Sequence, residues 1–501
     1  MKYRYIDLFC GAGGLGEGFK QAGFGSAFHA DMDEWAIQTV ILREIYHMCE
    51  EDKSEFYKIL TENSDAPFDP KNLFTENEWL KLYEKALGKV FCGKIDENYD
   101  HILSEIKKNV KDEDHSIIVG GPPCQAYSLA KRSRMRAPTD DSDGKELRGK
   151  LLIEAEELND NRVKQYLSDD RHILFETYLN IINEISPSAF VYENVPGILT
   201  AEKQMDKDQQ KAKIIDLFKT DIGTKAKEYE LLCVDEPKQM SFLEDSEVHF
   251  NDFLVNASDY GVPQNRKRFI IIGIRKDLAK KGYKKLFESS IDAHRVEKKT
   301  TVEDAIKNLP ALSSNSGDNY FYKSDIKSGL ESELLQSLMD KDIPGVFNHF
   351  ARSHMKEDLE RYKYFSDFVL ENDRNATLYD LHDHNEDLLP HHTSGSSSKL
   401  FDNNGKKIGK YVDRFKVQAW NKPATTITAH ISKDGHAFIH PDSEQNRSLT
   451  AREAARLQSF PDSYVFCGPR TEQFRQIGNA VPVKLAFAIA EGIKSILDAH
   501  G

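Results

Sequence analysis

Residues 3–9, Tyr-Arg-Tyr-Ile-Asp-Leu-Phe, run without a break into Cys10-Gly11-Ala12-Gly13-Gly14-Leu15-Gly16. This junction restricts the fold more than any other stretch of the chain. The first run reads as a buried strand. The spacing Gly11-x-Gly13-x-x-Gly16 then asks for a tight turn, followed by a helix over residues 18–22 that ends at Gly23. A second strand over residues 26–30 leads into Asp31, 20 positions past Gly11. A βαβ unit places an acid there to accept ribose hydroxyls. The expectation is an α/β fold with a parallel sheet and a ligand at the carboxyl ends of its strands. NAD, FAD and S-adenosylmethionine all satisfy this pattern, and so does a strand–helix turn that binds nothing.

The chain has 501 residues, of which 39% are hydrophobic. That is enough for a large core divided between two domains. No apolar run reaches the roughly 18 residues a membrane span needs. The N-terminus meets Asp7 and then glycines, so neither a signal peptide nor a membrane location is expected. The six cysteines (Cys10, Cys49, Cys92, Cys124, Cys233, Cys467) include no C-x-x-C pair. This argues against a disulfide scaffold or a structural metal site and for a reducing, cytoplasmic setting. The net charge of −14 argues weakly against nucleic acid as a partner. A nucleic-acid site, however, needs only one local basic face. Two basic clusters qualify: Lys131, Arg132, Arg134 and Arg136, and then Arg266, Lys267 and Arg268.

Three further constellations carry chemistry. Ile117-Ile118-Val119 reads as a strand stopped by Gly120-Gly121-Pro122-Pro123, and Cys124-Gln125 follows. A thiol at the mouth of a parallel sheet is placed to be a nucleophile, although an ordinary buried cysteine fits the hexapeptide equally well. Ala189-Phe190-Val191-Tyr192 reads as another strand, with Glu193-Asn194-Val195 at its end. A carboxyl group there can hydrogen-bond or protonate a substrate nitrogen; a surface acid is the plain alternative. Gln264, Arg266 and Arg268 share one face if they open the apolar strand that follows, forming a row of donors for an anion or a base carbonyl. Near the end, Thr450-x-x-Glu453 is a capping box, and a last helix is expected from Gln476-Ile477-Gly478-Asn479-Ala480-Val481-Pro482-Val483 to about residue 497.

Taken in order, the glycine loop, the acid, Pro-Cys-Gln, Glu-Asn-Val, Gln-x-Arg-x-Arg and Gly-Asn-Ala-Val-Pro-Val resemble the DNA cytosine-5 methyltransferase family of the bacterial type. The resemblance spans roughly residues 3–40, 116–130, 170–199, 254–275 and 420–495. It implies a Rossmann-like, S-adenosylmethionine-dependent catalytic domain over 1–275, to which 446–501 returns. It also implies a smaller, irregular target-recognition domain over 276–445. By that resemblance Cys124 is the thiolate that adds to carbon 6 of a flipped cytosine. Glu193 holds and protonates N3, Arg268 binds the base carbonyl, and Arg266 orients the site or holds phosphate. Phe9, Gly11, Gly13, Asp31, Met32, Pro122 and Asn479 fall on cofactor positions. Where relatives carry an acid for the adenine amine this chain has Lys94, and Asp96 is the substitute. Gln125, Ser128, Arg132 and Gln264 fall on the DNA side, with 128–136 as the catalytic loop and 137–168 as an insertion within it.

The resemblance further implies double-stranded DNA as partner and a restriction endonuclease as genetic partner. No metal is implied, and the protein is expected to act as a monomer. An RNA cytosine-5 methyltransferase on the same scaffold is the alternative. A silent DNA-binding relative is disfavoured by the intact Cys124, Glu193 and Arg268. A nicotinamide oxidoreductase has only the glycine loop in its favour.

Overall fold

The computed structural model describes residues 3–49, 53–111, 114–122, 171–200, 202–204, 211–213, 222, 226–235, 250–324, 332–340, 342–390, 400–402 and 404–500. Among them a central sheet is built from β1 (Tyr3–Leu8), β2 (Gly25–Asp31), β3 (Val90–Cys92), β4 (His115–Gly120) and β5 (Ala189–Asn194). β6 (Glu202–Gln204) and β7 (Lys211–Lys213) pair only with each other. β8 (Tyr229–Leu232), β9 (Leu254–Asn256) and β10 (Lys267–Arg275) complete the sheet in the order β3-β2-β1-β4-β5-β10-β8, with β9 beside β10. The first five strands of that order are mutually parallel, and β10 is antiparallel to its neighbours. This is a doubly wound sheet whose order reverses beside β1, where a ligand crevice forms.

Both faces of the sheet are buried, which explains its near-continuous apolar strands. Ile270, Ile272 and Ile274 face one core with Leu15 and Phe19 of the helix Gly14–Gln21 and with Ile489, Ile493 and Ile496 of the helix Val483–His500. Phe269 and Ile271 face the other, against Ile102 and Ile106 and against Tyr178 and Ile182 of the helices Tyr99–Asn109 and Arg171–Ile185. Tyr283, Phe287 and Ile291 belong to the first of these cores. The boundary expected at residue 276 therefore falls ahead of a helix, Tyr283–Asp292, that packs on the sheet side.

Beyond it the chain is mostly irregular. β11 (Gly317–Tyr322) pairs with β12 (Val346–Phe350), and the helices Lys356–Asn372 and Leu378–His384 enclose a small core of Tyr362, Phe365, Leu381, Leu400 and Phe415. The capping box forms as expected, with Glu453 N donating to the Thr450 hydroxyl and Thr450 N to the Glu453 carboxylate. The last helix differs from expectation. Residues 476–479 close a separate helix, Arg470–Asn479, and the chain breaks at Ala480-Val481-Pro482 before Val483–His500 begins. Proline lacks the N–H an interior turn would need, so the break falls just ahead of the new helix. Further along the chain from the helix Glu34–Met48 come the helices Ser54–Glu62 and Asn77–Leu87. Phe56, Tyr57 and Leu60 of the first share a core with Phe347 of β12.

Candidate active site

The carboxyl ends of β1, β2, β4 and β5 lie along one edge, and the amino end of antiparallel β10 joins them. At β1 the backbone turns sharply, with Phe9, Gly11 and Gly13 all at positive φ (57°, 51° and 75°). A left-handed phenylalanine is strained, and such strain concentrates at ligand sites. Gly11 N donates to Asp31 Oδ2 at 2.8 Å and Asp33 N to Asp31 Oδ1 at 2.8 Å, so the acid at the tip of β2 is fixed against the glycine loop. Burial pushes the Asp31 carboxyl above its ordinary range, against the pull of these amides. A side chain built at Gly11 would meet nothing within 4 Å, which leaves room for a ligand against the loop. Met32 beside it is 65% exposed. Gly93 N donates to Asp31 O at 2.9 Å, bringing the segment with half-buried Asp96 alongside. Lys94 turns away to Glu97, at 2.5 Å. An acid for two hydroxyls, an open glycine loop and an exposed thioether for an aromatic face suit an adenosine-bearing cofactor.

The second half of the site lies at β5 and β10. Ile270 pairs with Glu193, so Arg268 is its diagonal neighbour, within reach of a long side chain. Arg268 Nε meets Glu193 Oε1 at 2.7 Å, and both side chains are nearly enclosed. Burial raises the Glu193 pKa, while Arg268 and then Arg266 oppose the rise. The result is a carboxyl group able to hold a proton beside a guanidinium that fixes its orientation. Gly121 sits tight against this carboxyl group: a Cβ there would fall 2.5 Å from Glu193 Oε2 and push it aside. The next residue, Pro122, is buried, and its carbonyl accepts from Asn194 Nδ2 at 3.3 Å. Asn194 also donates to Tyr192 Oη at 2.9 Å. Sequence reasoning quoted Asn194 without a role; its role is to tie the end of β4 to the end of β5.

Cys124, Gln125, Ser128 and Arg132 lie outside the described residues, as do the 128–136 loop and the 137–168 insertion. Two other expectations are corrected. The alternation 264-266-268 holds, since Asn265 and Lys267 are exposed while the three between and around them are buried. Only Arg268, however, faces the cleft acid. Gln264, expected on the DNA side, is fully enclosed. Its Nε2 donates to Leu457 O at 3.1 Å, and its Oε1 accepts from Ile427 N at 2.9 Å. Arg266, expected to orient the site or hold phosphate, is 0% exposed. It donates to Ile427 O at 2.6 Å and Gly478 O at 2.9 Å. Enclosure leaves no face for phosphate. Of the two expected roles that leaves orienting, since Arg266 pins the 427 segment and the helix end carrying exposed Asn479 beside β10. Tyr464, which no motif marked, donates its hydroxyl to Ala12 O inside the glycine loop.

Among the described residues no helix is long and apolar enough to cross a membrane. The family described as C-5 cytosine-specific DNA methylase matches residues 3–71, 65–158 and 240–495. The type II methyltransferase M.Bpa9945I of Bacillus paralicheniformis is 33% identical over 99% of each chain. The type II methyltransferase M.DdeI of Desulfomicrobium norvegicum is 28% identical over 97% of this chain and 88% of its own. In fold, the crystal structure of a prophage-encoded DNA modification methyltransferase from E. coli superposes with a TM-score of 0.56 at 20% identity, covering 99% of this chain and all of that one. A match that runs from the glycine loop to the last helix, on a sheet whose strand ends gather the acid, the arginine and the cofactor loop, settles the family: the chain belongs to the C-5 cytosine-specific DNA methylases, enzymes that move a methyl group from S-adenosylmethionine to carbon 5 of cytosine in DNA.

Proposed function

We propose that this protein is the modification methyltransferase of a restriction–modification system, acting as a monomer on one cytosine of a specific duplex sequence and working through Cys124. The observation that carries the catalytic assignment is the Glu193–Arg268 pair seated at the end of β5, with Gly121 pressed against the same carboxylate. In the sequence Cys124 follows by two positions Pro122, whose carbonyl Asn194 ties to the end of β5. The reading as a modification enzyme rests on relatives named type II methyltransferases. A family of DNA methylases disfavours the RNA alternative.

Carbon 5 of cytosine is a poor nucleophile. Addition of the Cys124 thiolate to carbon 6 pushes the ring's electron pair toward N3, which takes a proton from Glu193; carbon 5 becomes enamine-like. Arg268 holds Glu193 through Nε, donates Nη1 to Lys267 O at 2.8 Å, and sets its guanidinium charge toward the base carbonyl. When bound, S-adenosylmethionine supplies an electrophilic methyl group on a sulfonium. Phe9, Gly11, Gly13, Asp31, Met32, Asp96, Pro122 and Asn479 would hold it. Loss of the carbon 5 proton to a base then expels the thiolate, N3 returns its proton to Glu193, and the ring is restored. The base must leave the helical stack to reach these groups. Residues 276–445, apart from the helix Tyr283–Asp292 that packs on the sheet side, serve as the target-recognition region.

Cys124→Ser is expected to abolish methyl transfer while duplex binding persists. DNA carrying 5-fluorocytosine at the target is expected to trap a protein–DNA adduct, because fluorine blocks proton removal. Undiminished turnover in Cys124→Ser, or no adduct with active enzyme, overturns the assignment. Bisulfite sequencing of DNA from an expressing host reads the target sequence.

A further inference from the structure

The two most exposed large apolar side chains among the described residues are Met32, at 65%, and Tyr411, at 66%. Met32 stands where the cofactor covers it. Tyr411 asks for a covering of its own. It lies in the loop 400–416, which carries Lys406, Lys407, Lys410, Arg414 and Lys416 against Asp402 and Asp413, in a chain whose net charge is −14. Lys416 pairs with Asp413, Arg414 with Asp434, and the Lys407 ammonium lies over the Tyr379 ring at 4.6 Å, so the outward row is Lys406 and Lys410, with Ile408 (49% exposed) between them.

The loop is built to hold this row out. Leu400 and Phe415 root it in the small core. Asp402 Oδ1 accepts from Asn404 N at 2.9 Å and from Lys406 N at 2.8 Å, closing the tip. Ile408 N and Gly409 N return to Leu400 O at 2.8 and 3.2 Å, and Gly409 N also meets Tyr379 Oη at 2.9 Å. Tyr411 itself sits at φ 58°, a conformation an L residue adopts at a cost, and Val412 O accepts from Leu378 N at 2.8 Å just behind it. The outward ring and the outward aliphatic side chain are thus fixed features of a braced ridge. The root also leads to the catalytic strand. Gln418 Oε1 accepts from Thr425 N at 2.8 Å, and the Thr426 hydroxyl donates to Asn265 O at 2.6 Å, three residues from Arg268.

We propose that this ridge enters a groove of the target duplex, with Tyr411 and Ile408 against base edges and Lys406 and Lys410 on the flanking phosphates. The proposal rests on the reading of the protein as a DNA methyltransferase and names the surface that reads the sequence. Cations beside phosphates give affinity that falls with salt, whereas a ring on base edges gives discrimination. The two side-chain classes therefore fail differently when removed.

The test uses full-length protein and a 30-base-pair duplex carrying the sequence found methylated in the expressing host, beside a scrambled duplex. Tyr411→Ala is expected to weaken binding to the target duplex by roughly 5- to 100-fold, to leave the scrambled duplex within about twofold, and to relax one position of the methylated sequence. Lys406→Ala with Lys410→Ala is expected to weaken both duplexes alike and to lower the slope of log affinity against log salt by about 1.8. All three side chains are exposed, so an unchanged unfolding midpoint verifies the fold. If wild-type protein methylates its target and Tyr411→Ala matches it in affinity and sequence, the ridge proposal falls alone. If wild-type protein neither binds nor methylates duplex DNA, the parent reading falls and takes the ridge with it.

Discussion

The sheet and the region beyond residue 300 solve the same problem in different ways. In the sheet, backbone groups pair along the ladder and both faces are filled by Ile, Val and Phe. Beyond residue 300 strands are short and turns many, so carbonyls need other partners. Arginine supplies them. Arg266, Arg447, Arg452 and Arg456 are each completely enclosed. Arg452 donates to Phe347 O, Pro461 O and Tyr464 O at 2.9, 3.1 and 2.7 Å. Arg456 donates to Ala305 O at 2.9 Å and grips Asp462 through both oxygens, at 2.8 and 2.7 Å. Arg447 reaches Leu312 O and pairs with Glu453. A planar guanidinium with five donors does for irregular backbone what a neighbouring strand does for a ladder. The lesson is that the sheet is held chiefly by apolar area, whereas the region beyond residue 300 adds satisfied polarity to its own apolar core of Val302, Ile427, Leu457 and Phe474. The second is the more brittle, because removing one donor strands several acceptors.

That contrast can be broken by measurement. Arg456→Met keeps bulk but leaves the Asp462 carboxylate and Ala305 O short of donors in a dry site. It is expected to cost about 3–5 kcal/mol. Ile271→Val, equally enclosed within the sheet, is expected to cost only about 0.5–1.5 kcal/mol. Denaturant unfolding of both variants decides the matter, and equal losses would erase the distinction.

The two regions also respond oppositely to acid. Asp7 on β1 is completely enclosed with one backbone donor, Gly16 N, at 3.1 Å, and burial pushes its carboxyl up to about 7. Between roughly pH 4 and 7 the folded state therefore binds a proton there that the unfolded chain does not, so this contribution to stability is lost as pH rises through that window. Burial would raise Glu453 as well, but Arg447, with His440 beside it, holds it well below the carboxylate range. Its contribution is present above the ordinary carboxylate pKa and is lost only on strong acidification. Asp7→Asn is expected to match wild type near pH 4.5 and to exceed it near pH 8, by up to about 3–4 kcal/mol at 1.36 kcal/mol for each pH unit between the two pKa values. Glu453→Gln is expected to be destabilised at both. Parallel pH profiles for wild type and Asp7→Asn would remove the sheet from this account.

The same contrast explains what could be read from residues alone. β1, β2, β4, β5 and β10 announce themselves because both sheet faces are buried and the strands are continuous apolar runs. Glu193 and Arg268 were legible because they stand at the ends of such runs. Gln264 and Arg266 have the right parity, but sequence does not say whether a buried donor meets substrate or backbone, and here it meets Ile427, Leu457 and Gly478. The helix Arg470–Asn479 escaped because its buried side includes Gln473 and Gln476, which bond Gly468 O and Cys467 O. The helix Ser54–Glu62 escaped because three aromatic and aliphatic positions are hidden among charges.

The smallest effect sits where the two halves meet. Tyr464 comes from the arginine-held region, yet its hydroxyl donates to Ala12 O in the glycine loop and stands where a Cβ on Gly13 would meet it at 2.9 Å. Arg43, held by Glu17 at 2.7 Å, lies 4.9 Å above its ring. Tyr464 thus sets the height of the loop from outside the sheet, touching neither cofactor nor base. Tyr464→Phe keeps the packing and removes one hydrogen bond, worth about 0.5–1.5 kcal/mol. If the hydroxyl positions the loop, the KM for S-adenosylmethionine rises about 2- to 10-fold while kcat at saturation holds, since 1.4 kcal/mol is tenfold in affinity. A merely structural hydroxyl would lower the unfolding midpoint and leave KM in place, and the glycine loop would then owe its shape to the sheet alone.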